Sequence, residues 1–275
     1  MADAGRAFVK MHGLRNHFVL FDAREGGFVP ASALVAAICD PETGVGAEQV
    51  LLACPPVAGG DLRLRIFNID GREVGACGNA TRCVARWWMD ATGHEAVRIE
   101  TGGGLLACAR AGEGVRVAMG RPETRPAHLP FARPRDSAGV RFTDAGPLAG
   151  GTAITMGAPH VVFFTPDADA VDLPRDAARV AADPVWRDGI NVCVASVLGP
   201  SALRLRVWER PGIATKACGT GACAAAYEAR RQGLVVGDRI AVDMPGGRLV
   251  IGLDPGGEVA MTGPAEYCFA GVWRG

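Results

Sequence analysis

One pattern of hydrophobic and polar positions occurs twice along the chain. Residues 62–78 and 203–219 both begin with Leu-Arg-Leu-Arg, an alternation that is typical of a half-buried β-strand. Aligned without a gap, the two segments share eight of their seventeen residues, and both end in Ala-Cys-Gly. Internal similarity of this kind indicates two copies of one structural unit.

The residues after each Ala-Cys-Gly predict the same further elements in both copies. Residues 80–91 and 222–233 are typical of helices, and the second is apolar enough in its first turns to be buried. Residues 97–122 then resemble residues 239–264 in their strand-like runs, paired glycines and closing Val-Ala-Met. Each copy therefore predicts a strand, a turn to a cysteine, a helix that begins at the next glycine, and two β-runs.

A proline-rich segment, residues 121–140, separates the two copies. It has no apolar period, so it predicts a linker or an irregular excursion. The length of 275 residues is about twice that of a common domain. We therefore expect a mixed α/β (α+β-like) protein of two pseudo-symmetric domains, with residues 1–120 in the first and residues 121–265 in the second.

The composition argues against several classes of partner. Lys and Arg number 29 and Asp and Glu number 29, so the net charge of zero gives no general attraction to nucleic acid or to an anionic membrane. No apolar run approaches the roughly 18 residues of a membrane span, and the N-terminus is charged where a signal peptide is apolar. We expect a soluble, cytoplasmic protein that binds a small neutral or zwitterionic molecule.

The nine cysteines predict reduced thiols rather than disulfides or a metal site. Their number is odd, and the pairs Cys77/Cys83 and Cys218/Cys223 lack the CxxC spacing that is typical of zinc and thioredoxin sites. Cys77 and Cys218 are the matched cysteines of the two copies. The others are interpreted as core residues, and they are Cys39, Cys54, Cys83, Cys108, Cys193, Cys223 and Cys268.

Cys77 and Cys218 each precede a predicted helix, and this position favours acid/base chemistry. The unpaired N–H groups and partial positive charge of a helix N-terminus lower the pKa of a thiol from about 8.5 toward about 3.5 to 7.5. Two such domains, packed about a pseudo-twofold axis, are expected to face their thiols across a cleft, so that one thiolate takes a proton while the opposite thiol gives one. The helix N–H groups are also suited to bind a carboxylate, and they belong to Gly78, Asn79, Gly219 and Thr220.

A buried, inert cysteine is the plainer interpretation, because free cysteine is among the most buried residue types. A gene duplication copies a structural cysteine as readily as a catalytic one. However, Ala-Cys-Gly is the same in both copies, whereas Asn68 aligns with Glu209 and Asp70 aligns with Pro211. Retention of the cysteine beside diverged neighbours favours a functional role.

Seven motifs lie in order over almost the whole chain: HGLRNHFVLFD, GVGAEQ, RIFNIDGREVGACGNATRC, MGAPH, GINV, VWERPG and ACGTGACAA. Together they resemble the motifs of the diaminopimelate epimerase family. The resemblance implies two like α/β domains, each a sheet around a central helix, with a C-terminal strand (266–275) that returns to the first domain and an active site in the cleft between them. It also implies an enzyme without cofactor or metal that uses two cysteines to convert LL-diaminopimelate to the meso form, for lysine and peptidoglycan synthesis.

The resemblance implies a role for each residue that matches a family motif. Cys77 and Cys218 are the acid/base pair, and His160 lies close to a catalytic cysteine and helps to set its charge. The residues at the reacting centre are Gly78, Asn79, Gly219 and Thr220 for its carboxylate, and Asn16 and Gln49 near its amino group. The residues that recognise the distal end of the substrate are Asn68, Asn191, Glu209 and Arg210. Glu209 is also expected to be catalytic, and the guanidinium of Arg210 is suited to bind a carboxylate through two hydrogen bonds.

Plain alternatives exist for the polar residues taken singly. Asn16 and Asn68 are also compatible with turns, and Asn191 with a helix or turn cap. Glu209 and Arg210 are compatible with an exposed ion pair.

Three residues depart from the family pattern. Arg15 and His17 stand where glycine and aspartate are typical, and Ala158 replaces an asparagine that normally faces the substrate. The missing amide removes a polar contact worth about 0.5 to 1.5 kcal/mol. One alternative is therefore a cofactor-independent racemase of another amino acid, such as histidine, on the same fold.

Other classes of function are also open. Cysteines serve in thiol redox switches and in metal-binding proteins, although the spacing here does not favour a metal. A pyridoxal enzyme needs a Schiff-base lysine, and the chain contains only Lys10 and Lys216, of which Lys216 is interpreted as exposed. The sequence leaves open whether the chain forms a homodimer.

Overall fold

The structure, a computed structural model, describes residues 5–142, 146–210 and 212–274. The predicted domains also include residues 1–4, 143–145, 211 and 275, which lie outside the described residues. None of the helices in the described ranges has both the length and the apolar character that a membrane span requires.

The chain divides into two compact units. Unit 1 comprises Met1–Ala118 and Thr262–Gly275, and unit 2 comprises Met119–Met261. Each unit has its own buried apolar core.

The first part of the chain forms, in order, β1 (Arg6–Gly13), β2 (Asn16–Asp22), α1 (Ser32–Cys39), β3 (Gln49–Cys54), β4 (Leu62–Asn68), β5 (Glu73–Val74), α2 (Gly78–Thr92), β6 (Ala96–Thr101), β7 (Gly104–Ala111) and β8 (Gly114–Gly120). The second part forms β9 (Val140–Arg141), β10 (Gly150–Thr155), β11 (Pro159–Phe164), α3 (Ala178–Ala181), β12 (Asn191–Gly199), β13 (Ala202–Glu209), β14 (Ile213–Thr215), α4 (Gly219–Arg231), β15 (Arg239–Met244), β16 (Gly247–Leu253) and β17 (Val259–Gly263). The last strand is β18 (Glu266–Trp273), which pairs antiparallel with β1 in unit 1.

The two units repeat one order of strand pairing. In unit 1, β1 and β2 are antiparallel, β2 and β3 parallel, β3 and β4 antiparallel, β4 and β6 parallel, and β6 and β7 antiparallel. Unit 2 repeats the series in β10, β11, β12, β13, β15 and β16. The repeat therefore begins well before residues 62 and 203, where the sequence similarity begins.

A central helix packs against strands from all parts of its own unit. In unit 1, α2 contacts β1, β2, β4, β6 and β7, and in unit 2, α4 contacts β10 to β13, β15 and β16. The strand pattern explains the core beneath each helix, because Leu62, Leu64 and Ile66 alternate along β4 and are all buried. The predicted α/β fold of two like domains, each a sheet around a helix, is confirmed.

The segment 121–140 is irregular but is not a linker. Its only helical turn is Pro126–His128. Phe131 is buried and its ring stacks on Trp186 with the ring centroids 5.0 Å apart, and Leu129 is buried in the same core. Of the two predicted alternatives, an irregular excursion is confirmed and a linker is not, because these apolar residues are anchored singly, without the period that marks a helix or strand.

The cysteines interpreted as core residues include two exceptions. Cys54 is half-buried and Cys268 is exposed, whereas the other five are buried. Cys268 lies on β18, which binds β1 through its backbone and leaves most of its side chains exposed. All nine cysteines lie within the described residues, and none forms a disulfide.

Candidate active site

Cys77 and Cys218 are the N-cap residues of α2 and α4. Both have extended backbone angles, with φ of −151° at Cys77 and −131° at Cys218, and the helix begins at the next glycine in both units, as predicted. Their carbonyl groups accept the first helical hydrogen bonds, from Thr81 and Ala222, each at 2.9 Å. A thiol stands at both positions in place of the usual Ser, Thr, Asp or Asn cap.

The first turn of each helix presents the predicted anion-binding groups. N–H groups at the start of a helix point outward along its axis and carry a partial positive charge. In unit 1 they belong to Gly78 and Asn79, and in unit 2 to Gly219 and Thr220. Each cysteine thus lies directly before a set of donors that suits a carboxylate.

In unit 1, a buried arginine orients the amides beside Cys77. Arg82 is fully buried and donates to Asn79 Oδ1 at 2.9 Å and to the Pro264 carbonyl at 3.2 Å. A guanidinium only donates, so the amide nitrogen of Asn79 faces Asn16 and donates to its Oδ1 at 3.2 Å. Cys77 Sγ lies 3.9 Å from that same Oδ1. The predicted residues Asn16 and Asn79 therefore meet at Cys77.

Gln49 and Asn68 form a second polar pair in unit 1. They are opposite each other on β3 and β4, and Gln49 Nε2 donates to Asn68 Oδ1 at 2.7 Å. Gln49 Oε1 is buried and has no hydrogen-bond partner among the residues that the structure describes. It is an acceptor suited to a donor from a bound molecule.

In unit 2, Asn191 and Glu209 occupy the positions of Gln49 and Asn68. Asn191 begins β12 and its Oδ1 accepts the backbone N–H of Arg210 at 3.0 Å, so it braces the end of β13. Glu209 Oε1 accepts from Thr215 Oγ1 at 2.6 Å.

Arg210 is exposed and is not bonded to Glu209 as the ion-pair alternative required. Its Nη1 donates to the Asp188 carbonyl at 3.2 Å. The remaining donors of the guanidinium are suited to a carboxylate.

Cys218 does not have the lowered pKa that its helix position predicts. Burial raises the pKa of this thiol well above its ordinary value, and the negative charge of Glu209 and the nearby Cys193 raise it further. Hydrogen bonds from Thr220, whose Oγ1 lies 3.6 Å from Cys218 Sγ, and from the Gly221 N–H only partly offset the effect. The expectation was wrong for Cys218 because desolvation outweighs the hydrogen bonds from Thr220 and Gly221.

Glu209 is a base beside this thiol. Burial raises the pKa of the Glu209 carboxyl, although hydrogen bonds from Thr215 and Cys218 favour its charged form. The Cys218 thiol donates a hydrogen bond to this carboxylate. Because the pKa of Cys218 is raised well above its ordinary value, the proton rests on the sulfur and the carboxylate is its hydrogen-bond acceptor.

His160 lies two contacts away from Cys218. It is fully buried on β11, and its Nε2 lies 3.0 Å from Thr220 Oγ1, which in turn faces Cys218. Its Nδ1 lies 3.5 Å from Cys193 Sγ. Burial, followed by the charge of Arg210, lowers the pKa of His160 to about 3. His160 is thus neutral near pH 7 and contributes hydrogen bonds rather than positive charge.

Sequence reasoning missed three residues next to the cysteines. Cys193 was interpreted only as core, and nothing in the sequence marks its contact with His160. Arg82 had a signal, since a charged residue on the apolar side of a predicted helix needs a buried partner. Gly221, like Cys193, had no signal in the sequence. A Cβ there would lie 3.1 Å from the sulfur of Cys193 and 3.3 Å from that of Cys218, so glycine leaves room for both sulfur atoms.

The described residues contain no group of three or more His, Cys, Asp or Glu side chains arranged to hold a metal ion. Lys216 is exposed, as expected, and Lys10 Nζ donates to the Val45 carbonyl at 2.9 Å.

The sequence profile of the diaminopimelate epimerase family matches residues 8–125 and 152–268. The chain belongs to the diaminopimelate epimerase family. It is 43% identical over 274 residues to a diaminopimelate epimerase of Phenylobacterium zucineum, with 98% of each chain covered. It is 45% identical over 268 residues to a diaminopimelate epimerase of Erythrobacter litoralis, with 97% of each chain covered.

Solved structures outside the diaminopimelate epimerase family share the fold. A hydroxyproline epimerase from Agrobacterium vitis matches with a TM-score of 0.69 at 14% identity, covering 98% of this chain and 92% of that one. A probable proline racemase from Agrobacterium radiobacter matches with a TM-score of 0.66 at 16% identity, covering 97% and 92%. At these identities the similarity shows the fold alone.

Proposed function

We propose that this chain converts LL-diaminopimelate to meso-diaminopimelate, with Cys77 and Cys218 as its two acid/base groups. The observation that carries the proposal is that both cysteines occupy the N-cap position of the central helix in the two copies of one fold. A cytoplasmic location and a role in lysine and peptidoglycan synthesis are part of the same proposal.

The reaction needs one proton to leave the α-carbon and another to arrive from the opposite face. One cysteine, as the thiolate, takes the α-proton and becomes a thiol, and the C–H electron pair remains on the substrate. The other cysteine gives its S–H proton to the same carbon and becomes a thiolate. The direction of epimerisation decides which cysteine plays which part.

The carboxylate of the substrate stabilises the charge that develops at the α-carbon. We place this carboxylate on the first-turn N–H groups, namely those of Gly78, Asn79, Gly219 and Thr220. Donors fixed before the reaction need no rearrangement as negative charge grows, so they stabilise the transition state more than the substrate.

The high pKa of Cys218 suits a base for carbon acids. A thiolate in a desolvated site is scarce but strongly basic, and an α-proton needs a strong base. We assign Glu209 the transfer of the thiol proton, because its buried carboxylate accepts a hydrogen bond from Cys218. A carboxylate is a weaker base than this thiolate, so the transfer is uphill and forms the thiolate in only a small fraction of molecules. We therefore assign Glu209 a catalytic part as well as a place near the distal end of the substrate.

The remaining predicted residues distinguish the two ends of diaminopimelate. Gln49 Oε1, buried and unpaired within the described residues, suits the ammonium group at the reacting centre, where Asn16 also lies beside Cys77. For the distal end we propose Asn68, Asn191 and Arg210, whose exposed guanidinium suits the second carboxylate.

A racemase of another amino acid is the second candidate. The observation that favours it is Ala158, where the family pattern has an asparagine that faces the substrate. Turnover of LL-diaminopimelate against a panel of single L-amino acids separates the two candidates directly.

Substitution of each cysteine tests the proposal. We expect Cys77→Ala and Cys218→Ala each to lower turnover of LL-diaminopimelate by about 100-fold or more, because each removes a general acid or base. Circular dichroism and the melting temperature should be nearly unchanged.

Two buried cysteines in the same helices are the matched controls. Cys83→Ala removes a cysteine sulfur from α2, and Cys223→Ala removes one from α4. We expect both variants to keep most of the turnover of LL-diaminopimelate. A Cys77→Ala or Cys218→Ala variant that keeps more than a tenth of the wild-type turnover contradicts the assignment.

A further inference from the structure

A line of buried polar contacts in unit 2 ends at Cys218. It begins at Cys193 on β12, whose Sγ lies 3.5 Å from Nδ1 of His160 on β11. His160 Nε2 lies 3.0 Å from Thr220 Oγ1 on α4, and that oxygen lies 3.6 Å from Cys218 Sγ. Each contact is within hydrogen-bond distance for the atoms concerned, so the four side chains form one continuous chain of donors and acceptors.

The position of one proton on His160 decides the direction of every hydrogen bond between Cys193 and Cys218. The low pKa of His160, about 3, keeps the ring neutral, so only one of its two nitrogens carries hydrogen. If Nδ1 carries it, Nε2 must accept the hydroxyl hydrogen of Thr220, and that hydrogen points away from Cys218. If Nε2 carries it, Thr220 accepts from the ring, and its own hydrogen is directed at the sulfur of Cys218.

The surroundings of Cys193 select between these arrangements. Cys193 is fully buried, and burial raises the pKa of its thiol, so it remains an S–H donor. Two acceptors lie near its sulfur: His160 Nδ1 at 3.5 Å and the Gly221 carbonyl at 4.0 Å. The nitrogen is closer, and a ring nitrogen that accepts from Cys193 leaves the ring hydrogen on Nε2.

We propose that Cys193 is a positioning residue that acts on Cys218 through His160 and Thr220. Its S–H donates to Nδ1, holds His160 in the Nε2–H tautomer, and so directs the Thr220 hydroxyl at the sulfur of Cys218. This inference rests on the proposed function, because it serves the thiolate that Cys218 forms during turnover.

The thiolate of Cys218 needs such a donor. Among the described residues of unit 2, the titratable groups that face it are Glu209 from β13 and Cys193 from β12, with His160 from β11 acting through Thr220. The charge of Glu209 opposes a neighbouring thiolate, and burial removes the water that would otherwise solvate it. A hydroxyl hydrogen directed at the sulfur therefore lowers the pKa of Cys218 toward the working range.

Two substitutions at Cys193 separate a hydrogen-bond role from a packing role. Cys193→Ser keeps a donor at this position, whereas Cys193→Ala removes it. Cys39→Ala is the matched control, because it removes a buried sulfur from the core of unit 1.

The tautomer of His160 is read by ¹⁵N NMR of protein labelled in its five histidines, with His160→Gln to assign the signal. We expect the Nε2–H form in the wild type, Cys193→Ser and Cys39→Ala, and a mixture of both tautomers in Cys193→Ala. This readout needs no substrate.

The pH profile of kcat gives the functional readout. In Cys193→Ala we expect the limb that reports the catalytic base to move up by about 0.5 to 1 pH unit, because the mixed tautomers keep only part of the hydrogen bond to the thiolate. KM should stay within about 2-fold, and Cys193→Ser should follow the wild type.

The proposal is overturned if the wild type carries the Nδ1–H form, if Cys193→Ala keeps both the tautomer and the pH profile, or if Cys193→Ser changes as much as Cys193→Ala. Failure of the proposed function gives a different result: either the wild type does not turn over LL-diaminopimelate or Cys218→Ala retains that turnover, while the tautomer readout still reports on Cys193.

Discussion

Ala158 occupies in unit 2 the position that Asn16 occupies in unit 1. The parallel registers of β2 with β3 and of β11 with β12 set this equivalence. In unit 1 the amide of Asn16 lies beside Cys77, whereas in unit 2 the side chains of Thr220 and Glu209 approach Cys218. The two cysteines thus have the same backbone position and different polar neighbours.

Restoring an amide at Ala158 tests which substrate the site fits. If LL-diaminopimelate is the substrate, Ala158→Asn should raise kcat/KM by about 5- to 30-fold, since one added polar contact in the transition state is worth roughly 1 to 2 kcal/mol. Ala158→Leu, which has similar size without the amide, should not raise it. A loss of kcat/KM in Ala158→Asn, together with α-proton exchange on another amino acid in the wild type, supports the racemase instead.

His160 makes the stability of the fold depend on pH in the acid range. Burial lowers its pKa from 6.5 to about 3, so the folded protein leaves it neutral where the unfolded chain protonates it. The contribution of neutral His160 to the free energy of unfolding is fully present above pH 6.5. It is lost as the pH falls toward 3, by about 1.4 kcal/mol per pH unit.

Urea unfolding at pH 6 and pH 5 measures this dependence. Between pH 6 and pH 5, we expect the free energy of unfolding of His160→Gln to fall by about 1 kcal/mol less than that of the wild type, because glutamine does not titrate. Equal losses in both proteins would mean that the ring already binds a proton in the folded state.

At the scale of elements, the sequence predicted what is local and missed what depends on register. The helices at Gly78 and Gly219 follow from a strand, a turn and a repeated Ala-Cys-Gly, all close together in the chain. The contact between Cys193 and His160 depends on the parallel pairing of β11 with β12, which no local pattern encodes. Arg82 had a local signal in its place on the apolar side of the helix, but its partner Pro264 lies far away in sequence, so the signal did not identify the contact.

A substitution in the irregular segment 121–140 tests whether its apolar residues, which follow no helix or strand period, stabilise the core of unit 2. Phe131 is buried against Trp186, so Phe131→Ala should lower the free energy of unfolding by about 3 kcal/mol. Arg133→Ala, at an exposed position of the same segment, should change it by less than about 0.5 kcal/mol. Denaturant unfolding of both variants gives the comparison, and a loss below 1 kcal/mol for Phe131→Ala would support the original interpretation as a linker.

At the scale of the whole molecule, one scaffold occurs twice with different chemistry around its cysteine. Unit 1 surrounds Cys77 with amides held by Arg82, and unit 2 surrounds Cys218 with Glu209 and the contacts that lead to His160. We propose that the units are the two domains whose boundary the sequence predicts near residue 120. Different neighbours suit the opposite roles that we propose for the two cysteines in one reaction.

The repeat made the two cysteines predictable, and the family resemblance supplied their polar neighbours. The pKa of Cys218 could not be predicted, because it depends on how deeply the thiol is buried and on how closely Glu209 approaches it. Sequence position alone predicts the helix N-terminus before which the thiol lies, and it does not predict the burial that raises the pKa of the thiol.

The most direct test of the two-base account is turnover of LL-diaminopimelate in deuterated water, with the label followed at the α-carbon during the first few per cent of reaction. The account predicts meso product that carries deuterium at the inverted carbon while the remaining LL substrate still carries protium, because the proton taken by one thiol is not the one given by the other. Early product that retains protium, or LL substrate that gains deuterium as fast as product forms, would contradict it.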